Sequence, residues 1–458
     1  MSFKKTMLAV AAVSALTAAT AVPAMALENE FHGMFKFMGY QSNVFTGVTG
    51  AILQDDARSG FFAEQRSRIL YTAKANDNLK LVTHFELDSR FGGVTGDYKG
   101  AGNDSGNLDA DQVTLETKDV YLDFNCPVTG TNFKVGIQPW ADSYSSLFLL
   151  ADMSGVYATK KFDPLTASLG WFRFDDNTTN TTALRNSGSP REITGDLIVA
   201  DAKFALSKDI RLGASYYGVL NDTTGTTRIP SYDLLHMVGV NADLNLGPAA
   251  VKPFAAYQFG EQNGAQDISA YMLGAVAKVK VGPGSVNASA FYLSGDDNGT
   301  GDNDDFKTLS AGTTYFNPAN MWLLIRSGQA INSSFSVLGN DMTVAGRGSM
   351  GLFAGYEGSI DKVFYNANIG YMRTAEDRTA AEESVIGTEI NAQVGYKLYD
   401  NLSVSAAAAY VFLGDALSGS TAERPIIGTN ATTGAPIRTG GLNADDPYLV
   451  NVQVSYVF

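Results

Sequence analysis

Apolar and polar residues alternate with a period of two along most of this chain. The stretch "IGTEINAQVGYKLY" shows the pattern, because Ile386, Ile390 and Val394 fall on one face while Glu389 and Asn391 fall on the other. Successive side chains of a β-strand point to opposite faces, whereas a helix repeats about every 3.6 residues. The alternation therefore predicts strands, each with one face suited to an apolar environment and one suited to water.

The connections between these strands are of two kinds. Short polar turns lie at 76–78, 162–164, 207–209, 282–284 and 400–401, and long polar loops lie near 42–60, 92–112, 175–194, 295–344 and 415–446. Strands of about ten residues with short turns at one end and long loops at the other are typical of transmembrane barrels. We therefore predict an all-β fold, a transmembrane antiparallel β-barrel with short periplasmic turns and long extracellular loops.

The number of strands depends on how two segments are interpreted. About 18 strands result when 295–344 is taken as one long loop. The pieces "DFKTLSAGTTYF" and "MWLLIRSG" within it are strand-like, and a membrane hairpin there would make the number about 20. If 155–162 and a neighbouring segment are not strands, the number falls to about 16. An even number fits a barrel with both termini in the periplasm.

The N-terminal residues predict secretion. Lys4 and Lys5 precede a small apolar run that ends in Ala24-Met25-Ala26, the A-x-A pattern of a signal-peptide cleavage site. We expect residues 1–26 to be a signal peptide and 27–458 to form a single barrel domain. A membrane anchor is the alternative, but no basic stop-transfer cluster follows the apolar run.

Composition and motif content argue against several classes of protein. Charged residues make up 17% of the chain, below the roughly 25% usual in soluble globular proteins. A soluble sandwich or propeller is the alternative fold, and three features argue against it: the alternation of short and long connections, the aromatic C-terminus, and apolar faces without a second sheet to cover them. The single cysteine, Cys126, and three scattered histidines form no metal-binding spacing, and no C-x-x-C-H haem motif occurs. Because a G-x-S-x-G motif and basic tracts are also lacking, we expect no enzyme, no cofactor and no nucleic-acid partner.

Charged residues on the predicted inward faces indicate a water-filled lumen, since a barrel of about 16–18 strands leaves an aqueous channel. Opposed charges across a lumen order water and filter ions, although any single charge commonly just pairs with its neighbour. The predicted pore-lining residues are Glu64, Arg66, Arg68, Lys80, Glu86, Asp88, Arg90, Lys134, Arg211, Lys278, Lys280, Glu389 and Lys397.

One long loop is strongly acidic. The sequence "SGDDNGTGDNDDF" at 294–306 contains five aspartates, within a chain whose formal net charge is −14. An acidic mouth raises the local concentration of cations, so the loop predicts a mild cation preference. The alternative is that these aspartates only keep a surface loop solvated.

The chain ends with Tyr456 and Phe458, and its strand pattern continues to the last residue. Together with the signal sequence and the alternating strands, this end resembles Gram-negative outer-membrane porins. The stretches "ENEFHGMFKFMGY" at 28–40 and "VGIQPW" at 135–140 resemble, more narrowly, porin-type channels of metal-reducing bacteria. The resemblance implies a place in the outer membrane of a Gram-negative cell, and an assembly signal at Tyr456 and Phe458 that the outer-membrane assembly machinery reads.

The resemblance also implies a constriction. In porins the third external loop folds into the pore, and "QPWADSYSSLFLLADMSGV" occupies the matching position after the fifth predicted strand. Asp142, Tyr144, Ser145 and Asp152 are the constriction residues that the resemblance implies. The alternative is that this segment merely begins the sixth strand.

Together these features predict a porin, a water-filled channel for passive diffusion of ions and small hydrophilic solutes. A substrate-selective channel and a structural barrel that supports periplasmic or surface cytochromes are the alternatives. The expected partners are outer-membrane lipid, the solutes and ions, and the assembly machinery, with a homotrimer by analogy with other porins.

Overall fold

The computed structural model describes residues 27–47, 50–53, 57–92, 106, 115–176, 194–222, 232–262, 266–297, 301–309, 314–331, 336–338, 341–378, 383–417, 426–429, 436–438 and 444–458. The predicted signal peptide at 1–26 lies outside the described residues, as does much of the loops predicted at 92–112, 175–194 and 415–446. No described helix is long and apolar enough to cross a membrane.

Eighteen of the described strands form one closed antiparallel sheet, and β2–β3 and β20–β21 form two small hairpins outside it. The strands are β1 (Glu28–Ser42), β2 (Phe45–Gly47), β3 (Gly50–Ile52), β4 (Gly60–Asn76), β5 (Leu79–Arg90), β6 (Glu116–Asn125), β7 (Asn132–Ala141), β8 (Leu150–Lys161), β9 (Leu165–Asp176), β10 (Thr194–Ala205), β11 (Ile210–Asn221), β12 (Leu234–Leu246), β13 (Ala249–Gln262), β14 (Gln266–Val281), β15 (Gly284–Leu293), β16 (Ser349–Ile360), β17 (Val363–Thr374), β18 (Val385–Tyr399), β19 (Leu402–Leu413), β20 (Ile426–Thr429), β21 (Pro436–Arg438) and β22 (Tyr448–Val457). The predicted 18-stranded barrel is confirmed, and the described residues of 295–344 add no strand to its wall.

The barrel closes where the first strand meets the last. β1 pairs with β4 on one side and with β22 on the other. At the end of β22, the Phe458 N–H donates to the Gly33 carbonyl (3.0 Å), and the Gly33 N–H donates to the Phe458 carbonyl (2.8 Å). A Cβ on Gly33 would lie 2.5 Å from both the Phe458 ring and the Arg68 carbonyl oxygen, so this closure requires glycine.

The two faces of the wall differ in polarity. Large apolar side chains such as Phe61, Leu169, Leu273 and Leu352 are exposed on the outward face. Alternate residues on the same strands point inward and include many charged and amide side chains. An apolar surface of this extent is not stable in water, whereas it suits the hydrocarbon of a bilayer.

The ends of the barrel also differ. Two-residue turns at 77–78, 282–283, 361–362 and 400–401 join strands at one end. Longer connections join them at the other end, the longest of which, 294–348, links β15 to β16. By the usual asymmetry of outer-membrane barrels, the short turns mark the periplasmic end.

Two connections fold back into the barrel and form its core. We call 142–149, between β7 and β8, the first inward segment, and 314–331, between β15 and β16, the second inward segment. Their apolar side chains are almost completely buried: Tyr144, Leu147, Phe148, Leu149, Phe316, Met321, Trp322, Leu323, Leu324 and Ile325. They pack against inward-facing residues of β9 to β17, such as Phe172, Tyr217 and Phe353, so one side of the lumen is filled by a hydrophobic core.

Candidate channel constriction

The first inward segment is organised around one carboxylate. Asp142 Oδ1 accepts the backbone N–H groups of Tyr144 (2.6 Å) and Ser146 (3.0 Å). Its Oδ2 accepts those of Phe148 and Leu149, both at 2.7 Å. Four backbone donors that would otherwise be buried without partners are therefore satisfied by a single side chain.

Aromatic packing attaches this segment to the wall. The ring of Tyr217 on β11 lies 5.9 Å from that of Phe148 and 5.2 Å from that of Trp140. The Tyr217 hydroxyl accepts the Ser143 N–H (3.0 Å) and donates to Asp201 (3.0 Å), and the Tyr144 hydroxyl bonds Ser215. The segment is consequently fixed by both apolar burial and hydrogen bonds.

The second inward segment is anchored by a carboxylate in the same manner. Glu389 on β18 is fully buried, and it accepts the backbone N–H groups of Trp322 (2.7 Å), Leu323 (3.0 Å) and Leu324 (2.7 Å). Asn391, two positions along the strand, donates to Glu389 Oε1 (2.7 Å) and to the Asn320 carbonyl (3.2 Å). The polar groups of β18 thus fix the backbone of a segment that has no regular secondary structure.

The two inward segments meet inside the barrel. The Tyr315 N–H donates to the Ser146 carbonyl at 2.9 Å. Phe254 on β13 contacts both segments, since its ring lies 6.1 Å from that of Tyr144 and 6.4 Å from that of Phe316. Together the segments form a continuous partition on the side of the lumen bounded by β9 to β18.

Charged residues of β1, β4 and β5 face this partition. Arg66 pairs with Asp88 (2.5 Å) and Glu86 (3.3 Å), and Arg68 pairs with Glu86. The second inward segment reaches this wall, because the Lys36 ammonium donates to the Gln329 carbonyl at 3.0 Å. The Arg326 guanidinium lies 3.7 Å from the centre of the Tyr315 ring and interacts electrostatically with Arg66.

The predicted pore-lining residues lie on strand faces opposite the exposed apolar side chains, in three groups. Glu64, Arg66, Arg68, Glu86, Asp88 and Arg90 form opposed pairs along β4 and β5. Lys80, Lys134, Arg211, Lys278, Lys280 and Lys397 lie near the short-turn end of their strands. Glu389 lies beneath the second inward segment. Their part in conduction stays a prediction.

Three of the four predicted constriction residues lie together. Asp142, Tyr144 and Ser145 belong to the first inward segment. Asp152 does not join them, because it lies within β8, where its carboxylate accepts a hydrogen bond from Lys118 of β6 at 2.8 Å. Asp152 lies outside the first inward segment because the strand begins at Leu150, and the part of the other three residues in a constriction stays a prediction.

The sequence reasoning missed two cations at the partition and the folding of the second segment. Lys36 is a lone charge between Phe35 and Phe37 on β1, and that interruption of an apolar stretch is the signal that marks an inward position. Arg326 follows five apolar residues in "MWLLIRSG", and their apolar character reflects burial inside the barrel rather than a membrane strand.

Comparison with known proteins places the fold in a family. The sequence model described as Gram-negative porin matches residues 9–324, which is more than half of the chain. The chain therefore belongs to the Gram-negative porin family. No curated protein matches the sequence significantly.

Solved structures share this architecture at low sequence identity. OpdO of Pseudomonas aeruginosa is 14% identical, with 94% of this chain and 97% of that chain covered and a TM-score of 0.53. OpdL of the same organism is 13% identical, with coverages of 94% and 99% and a TM-score of 0.52. The outer membrane protein OpdK, also from P. aeruginosa, is 10% identical, with coverages of 94% and 98% and a TM-score of 0.51. At these identities the likeness shows the fold alone.

Family membership and barrel geometry together define the activity. The protein is an outer-membrane channel through which small solutes and ions diffuse, and the family indicates a non-enzymatic role. Among the described residues, no cluster of three or more metal-ligating side chains occurs.

The anchoring role of Glu389 gives a prediction about conductance. Glu389→Ala leaves three buried backbone N–H groups without an acceptor, and each such loss costs about 1–3 kcal/mol. We expect the second inward segment to detach and single-channel conductance to rise, with Glu389→Gln intermediate because it retains one acceptor oxygen.

Gln393→Ala is the matched control. Gln393 lies on the same face of β18, and its side-chain hydrogen bonds are with Asn366 and Ser405 of the wall. Its conductance should equal that of the natural protein. Equal conductance of all three variants in planar bilayers would show that Glu389 does not hold the segment in place.

The buried carboxyl of Asp142 predicts a dependence on pH. Burial raises its pKa to about 6, against the opposing effect of four backbone donors. The packed segment therefore binds a proton more readily than a released, solvated one, so acidification from pH 7 to pH 5 should favour the packed state. We expect the time-averaged conductance to fall over that interval.

Substitutions test whether Asp142 or a neighbouring group causes the pH response. Lys203, Asp243 and Lys252 border the same region, and Asp201 accepts a hydrogen bond from Ser143. Asp142→Asn should remove most of the pH response. Asp305→Asn, which removes another carboxyl whose pKa burial raises to about 6, should keep it. A full response in Asp142→Asn would assign the titration to a different group.

Proposed function

We propose that solutes cross this porin by passive diffusion through the gap between the charged wall of β1, β4 and β5 and the two inward segments. The observation that carries the proposal is the pair of carboxylate anchors, Asp142 and Glu389, which hold both segments inside the barrel. An 18-stranded barrel without such segments would leave a much wider aqueous lumen.

The charges along this gap favour weak ion selectivity. Lys36, Arg66, Arg68 and Arg326 are the cations, and Glu86, Asp88 and Glu116 stand close to Arg66. Nearly balanced charges of opposite sign produce a transverse field rather than a strong preference for one ion. The acidic loop adds a mild cation preference at the outer mouth, where Asp297, Asp302 and Asp304 are exposed while Asp296 is buried.

The alternatives receive less support. A barrel that surrounds a cytochrome needs an open lumen, and the inward segments occupy that space. A substrate-selective channel is compatible with the gap but is not favoured by it. The narrower resemblance to channels of metal-reducing bacteria depends on two short stretches, 28–40 and 135–140, and stays a prediction.

Planar-bilayer recording tests the proposal. The natural protein should conduct in KCl and show, in a salt gradient, a small reversal potential of the sign that indicates a cation preference. Replacing 143–148 with a short Gly-Ser linker removes the side chains that pack against Tyr217, so conductance should increase. A natural protein that never opens would refute the channel, and unchanged conductance after replacement would refute the constriction.

We also propose that Tyr456 and Phe458 act as the assembly signal, in a chain that a signal peptide at 1–26 directs to the periplasm and that forms homotrimers. Support comes from the outward position of both rings, whose centres lie 5.6 Å apart in a stacked arrangement at the end of β22. They form an exposed aromatic pair at the periplasmic edge.

Variants of Phe458 test the assembly signal. Deletion removes the ring and the backbone pair with Gly33, whereas Phe458→Ala removes only the ring. Both should reduce the folded, heat-modifiable fraction in outer membranes, while molecules that insert should conduct normally. Phe412→Ala, which deletes an exposed outward ring on β19, should insert normally. Normal insertion of both Phe458 variants would leave the residue as an ordinary strand end.

A further inference from the structure

The lumen face of the barrel is basic near the short turns. Some lysines there have carboxylate partners on nearby strands: Lys80, Lys252 and Lys278. Other cations near the same strand ends form no ion pair with a described carboxylate: Lys134, Lys161, Lys203, Arg211, Lys280 and Lys397. Each of these lies next in sequence to an exposed apolar residue of the outward face, as Lys203 does to Phe204, so its own side chain faces the lumen. We call these unpaired cations the basic vestibule.

Little negative charge opposes the basic vestibule inside the barrel. Among the described inward carboxylates near the short turns, only Glu30 on β1 lacks an ion-pair partner. The aspartates of the short turns, such as Asp361 and Asp400, lie beyond the strand ends, where water and salt screen them. The periplasmic part of the lumen therefore has a net positive charge.

The opposite end of the barrel is acidic. The connection 294–348 contains six aspartates against three cations, and Asp302 and Asp304 within it are exposed. The connection 375–384, at the same end, contains four carboxylates and a single cation, Arg378. The outer mouth therefore attracts cations, as the basic vestibule attracts anions.

The two charged zones act separately on passing ions. The apolar band of such a barrel is about 25 Å tall, which exceeds the Debye length of about 10 Å at 0.1 M salt. The gap between them has nearly balanced charges, such as the pair of Arg66 with Asp88. A channel of this kind has a cation-attracting zone and an anion-attracting zone in series.

On the basis of the proposed function, we infer that this channel rectifies, admitting cations most readily from the outer mouth and anions most readily from the basic vestibule. A voltage that is positive on the outer side drives both abundant ions into the lumen, so the current is large. The opposite voltage draws each ion from the end that repels it, so the lumen is depleted and the current is small. Because the two zones have opposite preferences, the overall selectivity of the channel stays weak. The solutes favoured are small cations moving inward and small anions moving outward.

Single-channel recording of the full-length protein in symmetrical KCl tests this inference. The ratio of the currents at opposite voltages should be at least about twofold at about 10 mM salt, where the Debye length is about 30 Å. It should approach one at about 1 M salt, where the Debye length is about 3 Å. Biotin attached to Cys126, the single cysteine, marks the periplasmic turn between β6 and β7. Streptavidin should then disturb the current only from the periplasmic chamber, which identifies the orientation, and the larger current should flow with the other chamber positive.

Substitutions assign the rectification to the basic vestibule. Lys203→Gln, Lys280→Gln and Lys397→Gln combined should bring the current ratio at low salt close to one, and the three corresponding changes to Glu should also strengthen the cation preference. These side chains are exposed and form no described side-chain hydrogen bond, so the barrel should assemble normally. Lys208→Gln combined with Lys362→Gln is the control, because both lysines lie in short turns beyond the strand ends, and it should keep the asymmetry.

Several results would overturn the inference. These are equal currents at low salt in the natural protein, a larger current with the outer side negative, an unchanged ratio in the triple Gln variant, and an equal loss of asymmetry in the control. Conductance keeps the two proposals apart. A protein that conducts symmetrically refutes only rectification, whereas a protein that never conducts refutes the proposed channel itself.

Discussion

Backbone hydrogen bonds in hydrocarbon are the constraint on which the rest of this structure depends. With no water available, every N–H and C=O of a membrane-crossing strand needs a partner, so an open sheet edge is excluded. The chain meets this requirement by pairing β1 with β22, down to the reciprocal bonds between Gly33 and Phe458. Closure then fixes the polarity of each face, because period-two alternation places lipid on one side and the lumen on the other.

The two inward segments create a second requirement, because their buried backbone N–H groups also need acceptors. Irregular backbone folded into a barrel has buried N–H groups for which no neighbouring strand provides a hydrogen-bond acceptor. One carboxylate offers several acceptor sites, and Asp142 and Glu389 accept four and three backbone donors respectively. The same device thus appears once within a segment and once on the wall that receives it. The donors that surround each carboxylate offset part of its desolvation cost.

The sequence predicts those features of the fold that depend on neighbouring residues, such as the strands, but not the contacts between distant segments. Each wall strand has its own alternation, so the number of strands and the loop at 295–344 followed from the sequence, including the correct choice against a hairpin in "MWLLIRSG". The partner of Glu389 could not be predicted, because it lies 65 to 67 positions away in a segment without periodicity. The roles of Lys36 and Arg326 were missed for a related reason, since only the folded loop brings Gln329 to Lys36 and Arg326 near Arg66.

Charge is distributed unevenly along the barrel axis, and the distribution follows from the strand pairing. Near the short turns, cations face carboxylates on nearby strands, as in Lys80 of β5 with Asp123 of the adjacent β6, and Lys278 of β14 with Glu357 of β16, the next strand but one. Such exposed pairs add little stability, which argues that their value lies in the field they create in the lumen. The apolar partition occupies one side of that lumen and lowers its local dielectric constant. Charges on the opposite wall therefore act on a passing solute more strongly than they would in an open pore of the same width.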